Sequence, residues 1–248
     1  YTFYDNYAQV RPRDEKYVLT DAGPKQLNAV VEDKEKENLI AQRDQNPYYV
    51  RTDQGTGEIY YTTLVGKLLT LVINKTSALD PCGVGVEMEA NKPGWYDALN
   101  GLPGIFGSST AETMELKRLV EFLQESLAEL DRADTESVNL PVELYQFYNS
   151  LNQVLDNWID DRDDFKYWEQ ATTLREEYRE QVFMGFSGLE EALTIKDLKN
   201  FLARVETKLS RAVKLAQEDN GLFTTYFSYQ PVEFDKTAPA GYSVSFDQ

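Results

Sequence analysis

Asp97 stands between aromatic and small apolar residues, in Trp95-Tyr96-Asp97-Ala98-Leu99. Such neighbours partly desolvate a carboxyl group, disfavour its charged form and raise its pKa. A carboxylic acid that keeps its proton near neutral pH can protonate a leaving glycosidic oxygen. Trp95, two residues earlier, offers a ring face to a sugar. The surrounding stretch is dense in turn signals, with Pro93-Gly94, Asn100-Gly101 and Pro103-Gly104. A backbone that turns this often is costly to order unless it carries something. The plainer alternative is a structural loop whose Asp caps a turn.

Other groups are weaker candidates. Asp160-Asp161-Arg162-Asp163-Asp164 is a dense acidic run of hard oxygen donors. It lacks the glycine and the closing glutamate of a calcium loop, so a helix junction or N-cap is the better reading, and no metal site is assigned. Arg11 and Arg13 could hold an anion or sugar hydroxyls, although solvated surface is the usual fate of arginine. Asn74-Lys75-Thr76 matches a glycosylation acceptor, a tripeptide that recurs by chance. The chain contains no His and one Cys, Cys82. That excludes a Ser-His-Asp triad, a Cys-His pair, a His-ligated metal and an internal disulfide. A net charge of −17 repels phosphate backbones and argues against nucleic-acid binding. No apolar run reaches the length of about 18 residues that crosses a membrane. No signal peptide is visible, and with a single Cys this fits a reducing, cytoplasmic setting. The start at Tyr1 suggests a processed product or a fragment.

The elements that must position Asp97 are mostly helical. An irregular, β-leaning segment is expected over 1–20, followed by a helix over about 25–44. Residues 61–74 are apolar nearly all round and predict a buried helix. Val84 and Val86 alternate with Gly85 and Glu87, predicting a short strand into the Asp97 stretch. Ser109-Thr110-Ala111-Glu112 is a capping box that opens a helix to about Leu130. Pro141 suits the first turn of the next helix, striped by Leu144, Tyr148, Leu151, Leu155 and Trp158. A helix over about 164–182 follows. Thr194 and Asp197 open a last one, to about Glu218, whose face is Leu198, Phe201, Leu202, Val205 and Leu209. The aromatic tail reads as extended against the helices. One mostly helical domain over 1–248, with a few short strands, is the simplest organisation.

Glu87 to Ser109, EMEANKPGWYDALNGLPGIFGSS, resembles the acid loop of the inverting glycoside phosphorylases related to cellobiose phosphorylase. The large β-glucan members, the β-1,3-glucan type in particular, are the closer match. Their Trp-x-Asp-x-Leu-Asn element stands here as Trp95 to Asn100. Their Gly-Leu-Pro-Gly-x-Phe-Gly-Ser-Ser run stands as Gly101 to Ser109, and the Glu-Leu of the following helix as Glu115-Leu116. The resemblance is much vaguer elsewhere in the chain.

The resemblance implies an (α/α)6 toroid, of which this mainly α chain would form part. It implies phosphorolysis of β-linked gluco-oligosaccharides with inversion, giving α-glucose 1-phosphate. Asp97 would be the general acid and Trp95 would pack on or beside the sugar, with Asn91, Lys92 and Tyr96 as further contacts. Inorganic phosphate would be co-substrate, with no other cofactor. The partners would be the oligosaccharide, phosphate and the rest of a longer polypeptide, and a homodimer is compatible. The family's upstream Arg-Asp motif and its downstream phosphate-binding residues, often including His, are not found. Glu87 and Glu89 are alternative carboxylates, read here as solvated at a strand edge. An inverting hydrolase on the same fold and a non-catalytic helical carbohydrate-binding or scaffold domain remain as other readings.

Overall fold

The computed structural model describes residues 1–90, 106–130, 133–235 and 243–247, with side chains as far as 231. The expected site residues Asn91, Lys92, Trp95, Tyr96 and Asp97 lie outside the described residues.

Helical periodicity builds the larger part of the core. The last long helix, α7 (Ile195–Leu215), buries Leu198, Phe201, Leu202, Val205 and Leu209 along one stripe. Each such side chain withdrawn from water contributes about 1.5–3 kcal/mol. It packs on α4 (Thr110–Glu129) and α5 (Val142–Asp161), and α5 packs on α6 (Asp164–Val182). The starts are chemically fixed. Ser109 accepts from the backbone N–H of Glu112, Thr194 from Asp197 and Asp163 from Lys166. These side chains satisfy donors that a helix N-terminus leaves open. The Asp160–Asp164 run is therefore a helix junction, as its sequence predicts. Only half of the expected capping box forms at Ser109, because the Glu112 carboxylate takes Lys75 instead.

Helix α3 (Leu64–Thr76) buries Leu69, Val72, Ile73 and Thr76, but Leu64 and Leu71 are about half exposed. The expected all-round burial does not hold, because only one side of this helix meets the core. The Asn74-Lys75-Thr76 tripeptide lies inside it, with Asn74 Nδ2 donating to the Thr70 carbonyl.

Strands fill the rest. Near the N-terminus, β1 (Ala8–Val10) pairs antiparallel with β4 (Val30–Glu32), and β2 (Tyr17–Thr20) with β3 (Gly23–Gln26). A short helix, α1 (Arg13–Lys16), joins β1 to β2. The helix expected over 25–44 is thus confined to α2 (Lys34–Ala41). The β-branched Val30 and Val31 pair as strand, and Asp33 caps α2 by accepting from Lys36 N–H. A ribbon of β7 (Ser137–Pro141) and β8 (Glu190–Thr194) runs directly into α5 and α7. Being antiparallel, it sends those helices off from opposite ends.

The C-terminal tail is extended and meets the start of α4, where Thr110 donates to the Thr224 and Thr225 carbonyls, and beyond that it pairs with strands. β9 (Tyr226–Asp235) and β10 (Ser243–Asp247) join β5 (Val86–Met88) and β6 (Phe106–Ser109) in a four-stranded sheet of order β10-β9-β6-β5. The chain is a mixed α/β domain, mostly helical with several short antiparallel strands.

Candidate functional site

β5 and β6 are the legs of the segment that carries Asp97, and they pair antiparallel with Met88 opposite Gly107. The strand expected from the Val84–Glu87 alternation is there, shifted to Val86–Met88. Its apolar side chains, Val86 and Met88, are buried in one direction. Glu87 and Glu89 project in the other, and both are buried, with side chains 6% and 4% exposed. The expectation that they are solvated at a strand edge is overturned. Helix α6 covers that face and meets each carboxylate with an arginine.

The match is geometric. Residues i and i+2 of a strand stand about 6.5–7 Å apart, and i and i+4 of a helix about 6 Å. Glu87 and Glu89 thereby line up with Arg175 and Arg179. Arg175 donates to Glu87 at 3.1 Å, and Arg179 holds Glu89 bidentately at 2.8 and 3.0 Å. Further along the same face, Trp168 Nε1–H donates to Glu87 at 2.8 Å. The other nitrogen of the Arg175 fork reaches the Ser77 carbonyl at 2.9 Å.

The N-terminal segment closes this rack. Lys16, at the end of α1, donates to Glu89 at 2.8 Å with both side chains buried. Arg13 is fully buried rather than solvated. Its backbone N–H and its Nε reach Glu176 at 2.8 and 3.3 Å, and its guanidinium lies 5.6 Å from the Trp168 ring. Solvation was the expected fate of Arg13 because its partner on α6 is invisible from its own neighbours.

Each charge here gives up water and is stabilised only by its partner. Burial works against the Arg175 cation, but Glu87 and Glu89 more than offset it and its pKa is raised. Burial, with Glu87 beside them, pushes the phenols of Tyr17 and Tyr229 well above their ordinary value. Tyr229, from β9, therefore keeps its proton and donates to Glu87 at 3.4 Å.

The second leg has its own knot. Asp80 is buried and accepts from the N–H groups of Cys82, Val84 and Gly85 at 3.0, 2.9 and 2.8 Å. It also accepts the Ser108 hydroxyl of β6. Burial raises its pKa, with these donors pulling the other way. Gly83 turns here at a φ of 69°, with the Asp164 carboxylate where a Cβ would stand. Both ends of the 91–105 segment thus leave from a base fixed by buried polar bonds.

The sequence singled out the 87–109 stretch but not the buried set that holds its first strand. Arg13, Lys16, Trp168, Arg175 and Arg179 were not singled out as a set. The signal was the Glu-Met-Glu alternation at 87–89 and the Arg175/Arg179 spacing. Among the described residues, no group of His, Cys, Asp or Glu is arranged to hold a metal ion, and no helix is long and apolar enough to cross a membrane. No family model matches the chain, and no curated protein matches it.

Proposed function

We propose that the chain carries the acid loop of a glycoside phosphorylase acting on β-linked gluco-oligosaccharides, within an (α/α)6 toroid of a longer polypeptide. The observation that carries this reading is the run from Trp95 to Ser109, which resembles that loop residue by residue. Its delivery between two strands with buried polar anchors suits a group that must be held against a substrate. Phosphate oxygen attacks the anomeric carbon from the face opposite the leaving group. The glycosidic C–O bond breaks, and its electron pair stays on the bridging oxygen, which takes the proton of Asp97. Trp95 packs on or beside the sugar, and Asn91, Lys92 and Tyr96 make polar contacts.

An inverting hydrolase needs a second carboxylate, about 6.5–9.5 Å from the acid, to activate water. The other carboxylates of the Glu87–Ser109 stretch, Glu87 and Glu89, are held as acceptors by Arg175, Arg179 and Lys16. Those two are thereby not free to act as that base, whereas phosphate as the nucleophile needs none. The test is phosphate release from glucose 1-phosphate with laminari- and cello-oligosaccharide acceptors, in the longer polypeptide and in this chain. Asp97→Asn is expected to abolish turnover while sugar binding persists. Release of free sugar without phosphate would identify a hydrolase, and silence with intact folding would leave a binding domain.

A further inference from the structure

Away from the strand legs, a cavity of about 590 Å³ opens between the N-terminal stretch and the C-terminal half of α6. Ligand pockets span about 300–1,000 Å³. Phe3, Tyr178, Phe183 and Phe186 form its aromatic wall. Tyr4 stands at its side, 70% exposed, with its ring stacked on Tyr48 at 5.8 Å and 14° between planes.

Four of the eight charged side chains in its wall are paired. Asp5 is paired with Lys36 at 2.7 Å and Arg43 at 2.8 Å, Glu176 with Arg13, and Arg179 with Glu89. What stays open is acceptors. The lining carboxylates of Asp14, Glu15, Glu177 and Glu180 take no hydrogen bond or ion pair from any described residue, and each is exposed. The Gln9 amide, also in the lining, is likewise without a described partner. An anionic ligand would meet these carboxylates on a chain of net charge −17. A simple metal cation would leave the aromatic wall and most of the volume unused. A ligand that is neutral, rich in hydroxyl donors and able to lay a C–H face on the exposed Tyr4 ring uses the open acceptors and that ring.

We propose that this cavity binds a short neutral oligosaccharide. Its hydroxyls donate to the Glu177 and Glu180 carboxylates, and a pyranose face packs on Tyr4. The site goes beyond the phosphorylase reading and does not depend on Asp97.

Calorimetric titration of the chain with laminaritriose and cellotriose tests it, with spermine as a cationic probe. Binding of a trisaccharide is expected, weakened about five-fold or more, or roughly 1 kcal/mol, by Tyr4→Ala and by the Glu177→Gln/Glu180→Gln pair. A trisaccharide held at the Asp97 stretch instead would be indifferent to Tyr4→Ala and to the glutamate pair, so this result and the turnover of Asp97→Asn fail separately. Should Tyr4→Ala lose its circular dichroism signature, the exposed glutamate pair decides alone. Absence of trisaccharide binding, binding indifferent to the folded variants, or binding of spermine alone would overturn the proposal.

Discussion

The molecule holds its two halves together by opposite means. Between α4, α5 and α7 the contacts are apolar: Leu151, Leu155, Phe201, Leu202 and Leu209 are buried against one another. Between α6, α1 and β5 the contacts are ionic: Arg13, Lys16, Glu87, Glu89 and Arg175 are buried just as deeply. Apolar packing is non-directional and tolerates a change of shape at constant volume. A buried ionic rack does not, since each group is held by particular partners in fixed directions. The rack holds β5, the strand that leads into the segment with the candidate acid.

The sharpest way to break that contrast is to remove one charge. Arg175→Met leaves Glu87 buried with Trp168 and Tyr229 as its remaining described donors. It is expected to cost about 3–5 kcal/mol, measured by urea unfolding. Glu87→Gln added to it keeps an acceptor for Trp168 and removes the stranded charge, so the double variant should recover about 2 kcal/mol. A cost below about 1 kcal/mol for Arg175→Met would mean that the rack is incidental.

Conservative swaps sharpen the comparison at a smaller scale. Leu202→Met in the apolar half is expected to cost less than about 1.5 kcal/mol. Arg175→Lys keeps charge and length but cannot reach Ser77 and Glu87 with one fork, and should cost clearly more. Equal losses in urea midpoint would remove the distinction between the halves.

The same contrast decides what the sequence could reveal. The spacing of Leu198, Phe201, Leu202, Val205 and Leu209 announces a buried helix face, because burial of a helix repeats along its own chain. Ser109, Thr194 and Pro141 mark helix starts for reasons that are equally local. The rack joins residues far apart: Lys16 to Glu89 across 73 positions, Arg179 to Glu89 across 90 and Arg13 to Glu176 across 163. A lone charge reads as solvated until its partner is known, so Glu87, Glu89 and Arg13 were placed on the surface. β9 was legible as extended but not as the neighbour of β6, since pairing is set by tertiary contact. For the candidate site, the sequence offered the 87–109 stretch by resemblance, and the structure adds the buried pairs that hold its two flanking strands.

Lys208 tests the halves against each other, because it brings an ion into the helical one. Its ammonium lies 2.9 Å from Asp164 and 4.1 and 3.9 Å from the ring centroids of Trp158 and Tyr167. Asp164 also takes the Trp158 Nε1–H at 2.7 Å and Arg211 at 2.6 Å. Burial pushes the Lys208 pKa down to about 8, Arg211 adds to the fall, and Asp164 and Asp80 oppose it. An unfolded lysine titrates near about 10.4. Between the two values the unfolded chain binds more protons than the folded one, so this group's contribution to stability rises with pH across that window. Below about pH 8 both states are protonated and the deficit is complete. The unfolding free energy of the wild type minus that of Lys208→Met should therefore increase by about 1–2 kcal/mol from pH 7.5 to pH 9.5. A difference that stays flat would mean that Asp164 and the two rings hold the ammonium charged throughout, as the carboxylates of the rack hold Arg175. If the ion pair, not burial, set the folded pKa above the unfolded one, the difference would fall only beyond about pH 10.4, outside that window.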